Sequence, residues 1–211
     1  MTAILVRRMT TADEGAVGDI LGLAFADQPN TLAVARGDAA LARRIAFDGM
    51  RVATLGRTHK NLWVAEEAGG GGRVLGALNA VEWPHCQMSV GEKLRTAPPM
   101  ILAMGMAVPR GFRIMSAWGR RDPKERHWHI GPVGVHPDVQ GRGIGTSLMA
   151  SFLEVVDGQR AAAYLETDRT RNLPFYERFG FAVVAEEDIL GVHNWYMWRQ
   201  ARQRPVSARS A

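Results

Sequence analysis

Apolar and polar positions along this 211-residue chain alternate in some stretches and cycle at helical period in others, which lays out strands and helices in turn. Ala3 to Met9 reads as a first strand through Ile4, Leu5 and Val6. Thr11-Ala-Asp-Glu14 has the spacing of a capping box, and Val17, Ile20, Leu21, Ala24 and Phe25 follow on one helical face until Gln28-Pro29-Asn30 breaks it. A second helix is predicted over residues 38–55, through Leu41, Ile45, Ala46, Met50 and Val52. Asn61–Glu66 and Arg73–Val81 alternate as two strands around Gly69-Gly70-Gly71-Gly72. That glycine run joins two strands and leads into no helix, so it reads as a flexible hairpin turn, not a phosphate loop.

From Trp83 to Arg126 the periodicity weakens. Ser89 is placed to cap a helix through Leu94, and Pro98-Pro99 starts a further segment with Met100, Ile101, Met104 and Met106. Methionine-rich apolar segments suit a wall that adapts to a ligand, and equally an ordinary core. Trp118 and the charged run from Arg120 to Arg126 lead into an apolar strand, Trp128 to Val135, which Pro137 ends because proline cannot donate to a ladder. Ile144, Leu148, Ser151, Phe152 and Val155 repeat at helical spacing; Ala161–Thr167 is another short buried strand. Residues 172–179 form a brief helix with Pro174 near its start and Gly180 at its end. Phe181–Glu186 and His193–Arg199 alternate as a closing hairpin, and the chain from about Ala201 is expected to be disordered.

Between the apolar strand and its helix lie Gly141, Gly143 and Gly145. Glycines there permit a tight turn and leave no Cβ between backbone N–H groups and a ligand. Together with the free N–H groups of a helix's first turn, they make an anion site suited to a pyrophosphate. The loop has no Gly-Lys-Ser/Thr, which excludes a P-loop, and its glycine spacing excludes the Rossmann pattern.

Gln140-Gly-Arg-Gly-Ile-Gly145 resembles the Gln/Arg-x-x-Gly-x-Gly/Ala loop of the GCN5-related N-acetyltransferase (GNAT) superfamily. The resemblance extends to Val133-Gly-Val-His-Pro137 before the loop and Asn172-Leu-Pro-Phe-Tyr-Glu-Arg-Phe-Gly-Phe181 after it. It implies an α/β (α+β) fold: a mixed, mostly antiparallel sheet of about six or seven strands flanked by helices, with a splayed central strand pair that holds acyl-CoA. The implied domain spans residues 1–200, with an acceptor-specifying segment over about 84–126 and a basic tail over 201–211. Leu165 to Phe181, with Trp128, Phe25-Ala-Asp27 and Trp63-Val-Ala65, further resembles the branch containing puromycin N-acetyltransferase.

By that resemblance, Val133, Gly134 and Val135 line the pantetheine arm of acetyl-CoA, and Pro132 sits where the central strand parts from its neighbour. Backbone N–H groups of Gln140, Gly141, Arg142, Gly143, Ile144, Gly145 and Thr146 hold the pyrophosphate, and the Asn172 amide, one helical turn before Tyr176, bonds the cofactor. The Arg142 side chain either adds charge there or is a solvated loop residue. Tyr176 takes the place of the family's general acid. For the general base, His129 occupies the place where the superfamily's histone acetyltransferases carry a glutamate, and Glu166 is an alternative. His129 has the same strand parity as Val133 and Val135 and so is expected to face the same side, and His127 shares that parity further from the cofactor.

The reaction so implied moves an acetyl group from acetyl-CoA to a primary amine of a small molecule, such as a puromycin-like antibiotic, directly in a ternary complex. A peptide or protein N-acetyltransferase and a catalytically silent acyl-CoA sensor are the alternatives. No metal is expected, and a homodimer is compatible with this reading.

Composition narrows the setting. The single cysteine, Cys86, excludes an internal disulfide framework and fits a reducing cytoplasm, and no apolar run is long enough to span a bilayer. Of the net charge of +5, +4 is carried by Arg199, Arg202, Arg204 and Arg209 near the C-terminus, so nucleic acid is not expected as a partner.

Overall fold

A computed structural model describes residues 3–57, 61–69 and 72–202. The expected disorder from residue 203 onward and the middle of the four-glycine turn, Gly70 and Gly71, lie outside those residues. Strands β1 (Ile4–Arg8), β2 (Asn61–Glu67), β3 (Val74–Glu82), β4 (His127–Val135), β5 (Ala162–Thr167), β6 (Ala182–Ile189) and β7 (Val192–Arg199) form one sheet in the order β1-β2-β3-β4-β5-β7-β6. Only β4 and β5 pair in parallel; the other neighbours are antiparallel, as expected.

Helix α1 (Glu14–Phe25) covers one face, packing Val17, Ile20 and Leu21 on Leu62, Val64 and Ala77. Beyond it come α2 (Pro29–Val34), α3 (Ala39–Arg44) and α4 (Met50–Leu55), the last two joined by a π turn over Ile45–Gly49 within the stretch expected as one helix. Helices α5 (Val90–Met104) and α6 (Val108–Arg121) form a hairpin inserted between β3 and β4. The opposite face carries α7 (Ile144–Gly158), whose Leu148, Met149 and Phe152 are buried against Leu78, Trp128 and Ile130. A short α8 (Leu173–Glu177) links β5 to β6.

Several local expectations are corrected. The cap of α1 lies one residue early: the Asp13 carboxylate accepts from the Thr10 N–H at 2.7 Å and its hydroxyl at 2.9 Å. Helix α5 runs through Pro98 and Pro99 instead of stopping before them. The prolines and the turn whose carbonyls they release, Leu94 and Arg95, are exposed, so water can serve those groups. The region before β4 is helical because Gly111, Ile114 and Ala117 make a buried stripe of mostly small residues. Arg199 is no tail residue: it is buried in β7 and bidentate to Asp157 at 2.7 and 2.9 Å.

A correction with consequences for the site lies inside β4. Leu78 pairs with Val133, but Ala80 pairs with Ile130, so β4 carries one extra residue opposite Asn79. This bulge sits at Gly131-Pro132, where Asn79 Nδ2 donates to the Gly131 carbonyl at 3.2 Å. An extra residue inverts the alternation. Val133 and Val135 therefore lean on the α7 side, whereas His127 and His129 face away from it, with the α1 side.

The sheet edge is tied to α1 by charge. Arg7 pairs with Asp13 at 2.7 Å and with Glu66 at 2.8 Å. Its guanidinium, with help from Thr10, holds the Asp13 carboxyl well below the usual carboxylate range. A depressed carboxylate contributes stability that is present above its unfolded pKa of ~3.9 and is lost as pH falls. Asp13→Asn is thus expected to destabilise the protein at pH 6, with a deficit that shrinks on acidification below pH ~4. Urea midpoints of both proteins at two pH values check this; a deficit independent of pH would remove the ion pair as its cause.

Candidate active site

Strands β4 and β5 pair only at His127–Ala162, Trp128–Ala163 and His129–Tyr164. Beyond His129 they part, because the bulge at Gly131-Pro132 turns β4 while β5 stays paired with β7 through Thr167. The opening exposes the second half of β4, Gly131 to Val135, on its β5 side. Gly134 faces α1, where a Cβ would press on Leu21 and Ala24, so a larger residue would push that helix off the strand.

The glycine loop follows. Gly141 and Gly143 have φ of +79° and +80°, a left-handed conformation that glycine adopts without strain. Gly143 is the N-cap of α7 and no side chain caps that end. The N–H groups of the first turn, Ile144, Gly145 and Thr146, thus face outward with the positive end of the helix dipole. Ile144 itself is anchored in the core by its side chain. The exposed Gln140 side chain donates to the Val135 carbonyl at 3.2 Å. Arg142 is exposed to solvent and pairs with Glu67 of β2 at 2.8 Å. An uncapped helix start beside a strand opening fits a pyrophosphate and a pantetheine arm, the two parts of acyl-CoA that need them.

On the face opposite α7, His129 bridges two carboxylates, Glu166 Oε2 at 2.8 Å from its Nε2 and Asp122 Oδ1 at 3.1 Å from its Nδ1. The Glu166 side chain is 5 % exposed, and its other oxygen, Oε1, is buried with no partner among the described residues. Burial opposes a charge on His129, but Glu166 and Asp122 outweigh it and raise its pKa well above the ordinary histidine range. With both ring nitrogens engaged, His129 has no lone pair for a substrate ammonium. The expectation that His129 is the general base, and that it shares a face with Val133 and Val135, does not fit this arrangement. The bulge and the two carboxylates are the reasons.

Two further groups adjoin it that the sequence did not single out. Asp122, at the end of α6, also lies 3.4 Å from His127 Nε2, and Cys86 Sγ lies 3.5 Å from the same nitrogen. Burial favours the uncharged forms, yet Asp122 and Cys86 hold His127 up to about 9. Alternation along β4 put His127 beside His129, but Cys86 and Asp122 join them only through tertiary contacts.

Tyr176 stands apart on α8. Burial, with the Asp168 carboxylate adding to it, pushes its phenol up to about 12, and its hydroxyl makes no hydrogen bond among the described residues. Asn172 is turned to the end of β5, donating to Thr167 Oγ1 at 3.1 Å, and Arg169 ties that loop to Asp27 and Gln28.

Comparison with known proteins places this geometry. Residues 44–181 match the profile of the acetyltransferase (GNAT) family. A 76-residue stretch is 33% identical to mycothiol acetyltransferase of Streptomyces coelicolor, covering 35% of this chain and 24% of that protein. The chain thus spans about a quarter of that relative's length. Among solved structures, a Corynebacterium glutamicum protein described as histone acetyltransferase HPA2 and related acetyltransferase superposes with a TM-score of 0.70 at 22% identity, over 98% of this chain and 100% of that one. A GNAT family acetyltransferase of Brucella melitensis, solved in complex with acetyl-CoA, gives 0.50 at 19% identity, over 96% and 91%. These two likenesses establish the fold. Since the profile takes in the central strand, the glycine loop and Tyr176, and spans well over half of the sequence, the chain belongs to the acetyltransferase (GNAT) family.

Proposed function

We infer that this acetyltransferase acts on a primary amine of a small molecule, with both substrates bound together. The parting of β4 from β5 beside an uncapped, glycine-led helix start carries this reading. Bound there, acetyl-CoA supplies an acetyl thioester already activated for transfer. The N–H groups from Gly141 to Thr146 hold its pyrophosphate, the expected Gln140 N–H being already bonded to the Pro137 carbonyl at 3.3 Å; each charge–dipole contact contributes about 0.3–1 kcal/mol, so several act together. The strand backbone of Val133 to Val135 pairs with the pantetheine arm and aims the thioester at the face that bears Glu166. Glu166 Oε1 takes the proton of the amine as its nitrogen bonds to the acetyl carbon. The Tyr176 hydroxyl donates to the departing sulfur. Asn172 steadies the loop between these two groups through Thr167.

The α5–α6 hairpin, within the segment 84–126, forms the acceptor wall in this reading. Mycothiol acetyltransferase and the resemblance to the puromycin N-acetyltransferase branch both favour a small-molecule amine over a protein tail. In this setting His129 is a positioning residue that holds Glu166 Oε2 and leaves Oε1 for the amine. Glu166→Gln is expected to lower kcat by about 100-fold, the range of a lost general base, with acetyl-CoA affinity unchanged. An equal loss in acetyl-CoA affinity would assign Glu166 to the cofactor site instead.

The test of the function is melting temperature with and without acetyl-CoA, alongside free-thiol release over a panel of primary amines including puromycin and short peptides. Stabilisation with thiol release on a small amine supports the reading. Release on peptides alone overturns the acceptor class, stabilisation without release on any amine points to a sensor, and no stabilisation by any acyl-CoA overturns the site.

A further inference from the structure

Four side chains with metal-ligating atoms converge beneath the acceptor face, outside the acyl-CoA cleft. Cys86 Sγ, Asp122 Oδ1, His127 Nε2 and His129 Nδ1 all lie within 4.8 Å of one another. Their closest separations are 3.1 Å for His129–Asp122, 3.4 Å for His127–Asp122 and 3.5 Å for Cys86–His127. A tetrahedral zinc ion with bonds of about 2.0–2.3 Å sets its ligand atoms roughly 3.3–3.7 Å apart. Cys86, Asp122 and His127 are buried, and the His129 side chain is 19 % exposed.

The outer partners of these four residues give the second line of argument. His127 Nδ1 lies 2.8 Å from the Glu125 carbonyl, which only accepts, so that nitrogen carries the proton. His129 Nε2 lies 2.8 Å from the Glu166 carboxylate, which assigns its proton likewise. When a cation displaces the second proton of each imidazolium, the freed nitrogen presents a lone pair to the centre. The Cys86 sulfur and Asp122 Oδ1 present lone pairs to the same point, while Gln87 Nε2 holds Asp122 Oδ2 at 3.1 Å. Histidine ligands that donate their far N–H to a carbonyl or carboxylate are the usual outer arrangement of a zinc site. A thiolate and a carboxylate with two neutral imidazoles carry a charge of two minus, which a divalent cation neutralises in a buried place.

We propose that Cys86, Asp122, His127 and His129 form a binding site for a divalent transition cation, Zn²⁺ by its mixed sulfur, nitrogen and oxygen ligands. All four positions come from protein, so the ion is structural. It closes the base of the α5–α6 hairpin, with Cys86 at the entrance of the insertion and Asp122 at its exit, and clamps both ends to β4. Arg57 already braces the entrance, donating to the carbonyl of Cys86 at 2.9 Å. Through His129 Nε2 the same ion fixes the imidazole that orients Glu166. The site stands whether or not the acceptor is a small amine.

The test uses the full chain purified without a metal-affinity step, with metal content measured by inductively coupled plasma mass spectrometry. About one zinc per chain is expected, with Cys86→Ser and Asp122→Asn each reducing it. Adding Zn²⁺ to chelator-treated protein should raise its melting temperature by roughly 5–10 °C, as for a ligand near 100 times its Kd. Substitution by Co²⁺ should give the ligand-field bands of a tetrahedral ion and a thiolate charge-transfer band that Cys86→Ser removes. If either variant fails to fold, the wild-type cobalt spectrum decides alone. A folded wild type that holds no stoichiometric metal and gains no stability from Zn²⁺ overturns the proposal, and so does zinc that folded Cys86→Ser and Asp122→Asn retain in full.

Discussion

Gly143→Val is expected to abolish measurable acetyl-CoA binding while the protein remains folded. Gly143 has φ of +80° at the N-cap of α7, and among the described residues, its chain neighbours aside, nothing lies within 4 Å of where its Cβ would stand. A side chain there meets no protein atom, so the damage divides into two parts. The left-handed conformation costs an L-residue about 1–2 kcal/mol, and more for a β-branched one, which shifts the loop toward another backbone geometry. Whatever geometry it keeps, the valine methyls stand over the N–H groups that should meet the pyrophosphate. The fold survives because α7 is held by Ile144, Leu148, Met149 and Phe152, all buried and on the far side from the loop. Calorimetric titration with acetyl-CoA should show at least a 100-fold loss, about 2.7 kcal/mol, beside a near-normal circular dichroism spectrum. Normal affinity in a folded variant would mean that the loop does not hold phosphate. Gly143→Ala should fall between the two, since it shares the strain but not the bulk.

What the sequence disclosed here was local. The glycine loop, the helix it starts and the proline that ends β4 lie within about twenty residues, and each rests on backbone rules that act over short spacing. What escaped depended on partners far along the chain. Cys86 and His127 touch across 41 positions, and no spacing rule connects them. The reversed face of His129 was missed because an alternation count assumes an unbroken strand, although Gly131-Pro132 inside β4 was the available sign of a bulge. Helix α6 was missed because its buried stripe, Gly111, Ile114 and Ala117, is made mostly of small residues while the large apolar Phe112 and Met115 are exposed. Arg142 has a partner, Glu67, that lies on another strand and that no local spacing could supply.

Tyr176→Phe should lower kcat by about 100-fold and leave acetyl-CoA affinity and stability nearly unchanged. The substitution removes one oxygen whose hydroxyl makes no hydrogen bond among the described residues, so no protein partner is stranded. The ring keeps its edge contacts with Phe175 and Phe181, at centroid distances of 5.2 and 6.1 Å. A phenol pushed up to about 12 stays protonated at every working pH and always offers its hydrogen. It is also a weaker acid than a free thiol, whose pKa is ~8.5, so full proton transfer is uphill if only the tyrosine is considered. The burial that raises the tyrosine also desolvates the departing sulfur and raises it in turn, which brings the two nearer to a match. Tyr176 therefore acts while charge is gathering on sulfur. An acetyl thioester whose thiol is more acidic than that of CoA needs less of that help. The ratio of wild-type to Tyr176→Phe rates in single turnover should accordingly shrink with such a donor. A ratio that stays constant across donors would make Tyr176 a packing residue of α8, and an unchanged kcat with acetyl-CoA itself would remove it from the chemistry altogether.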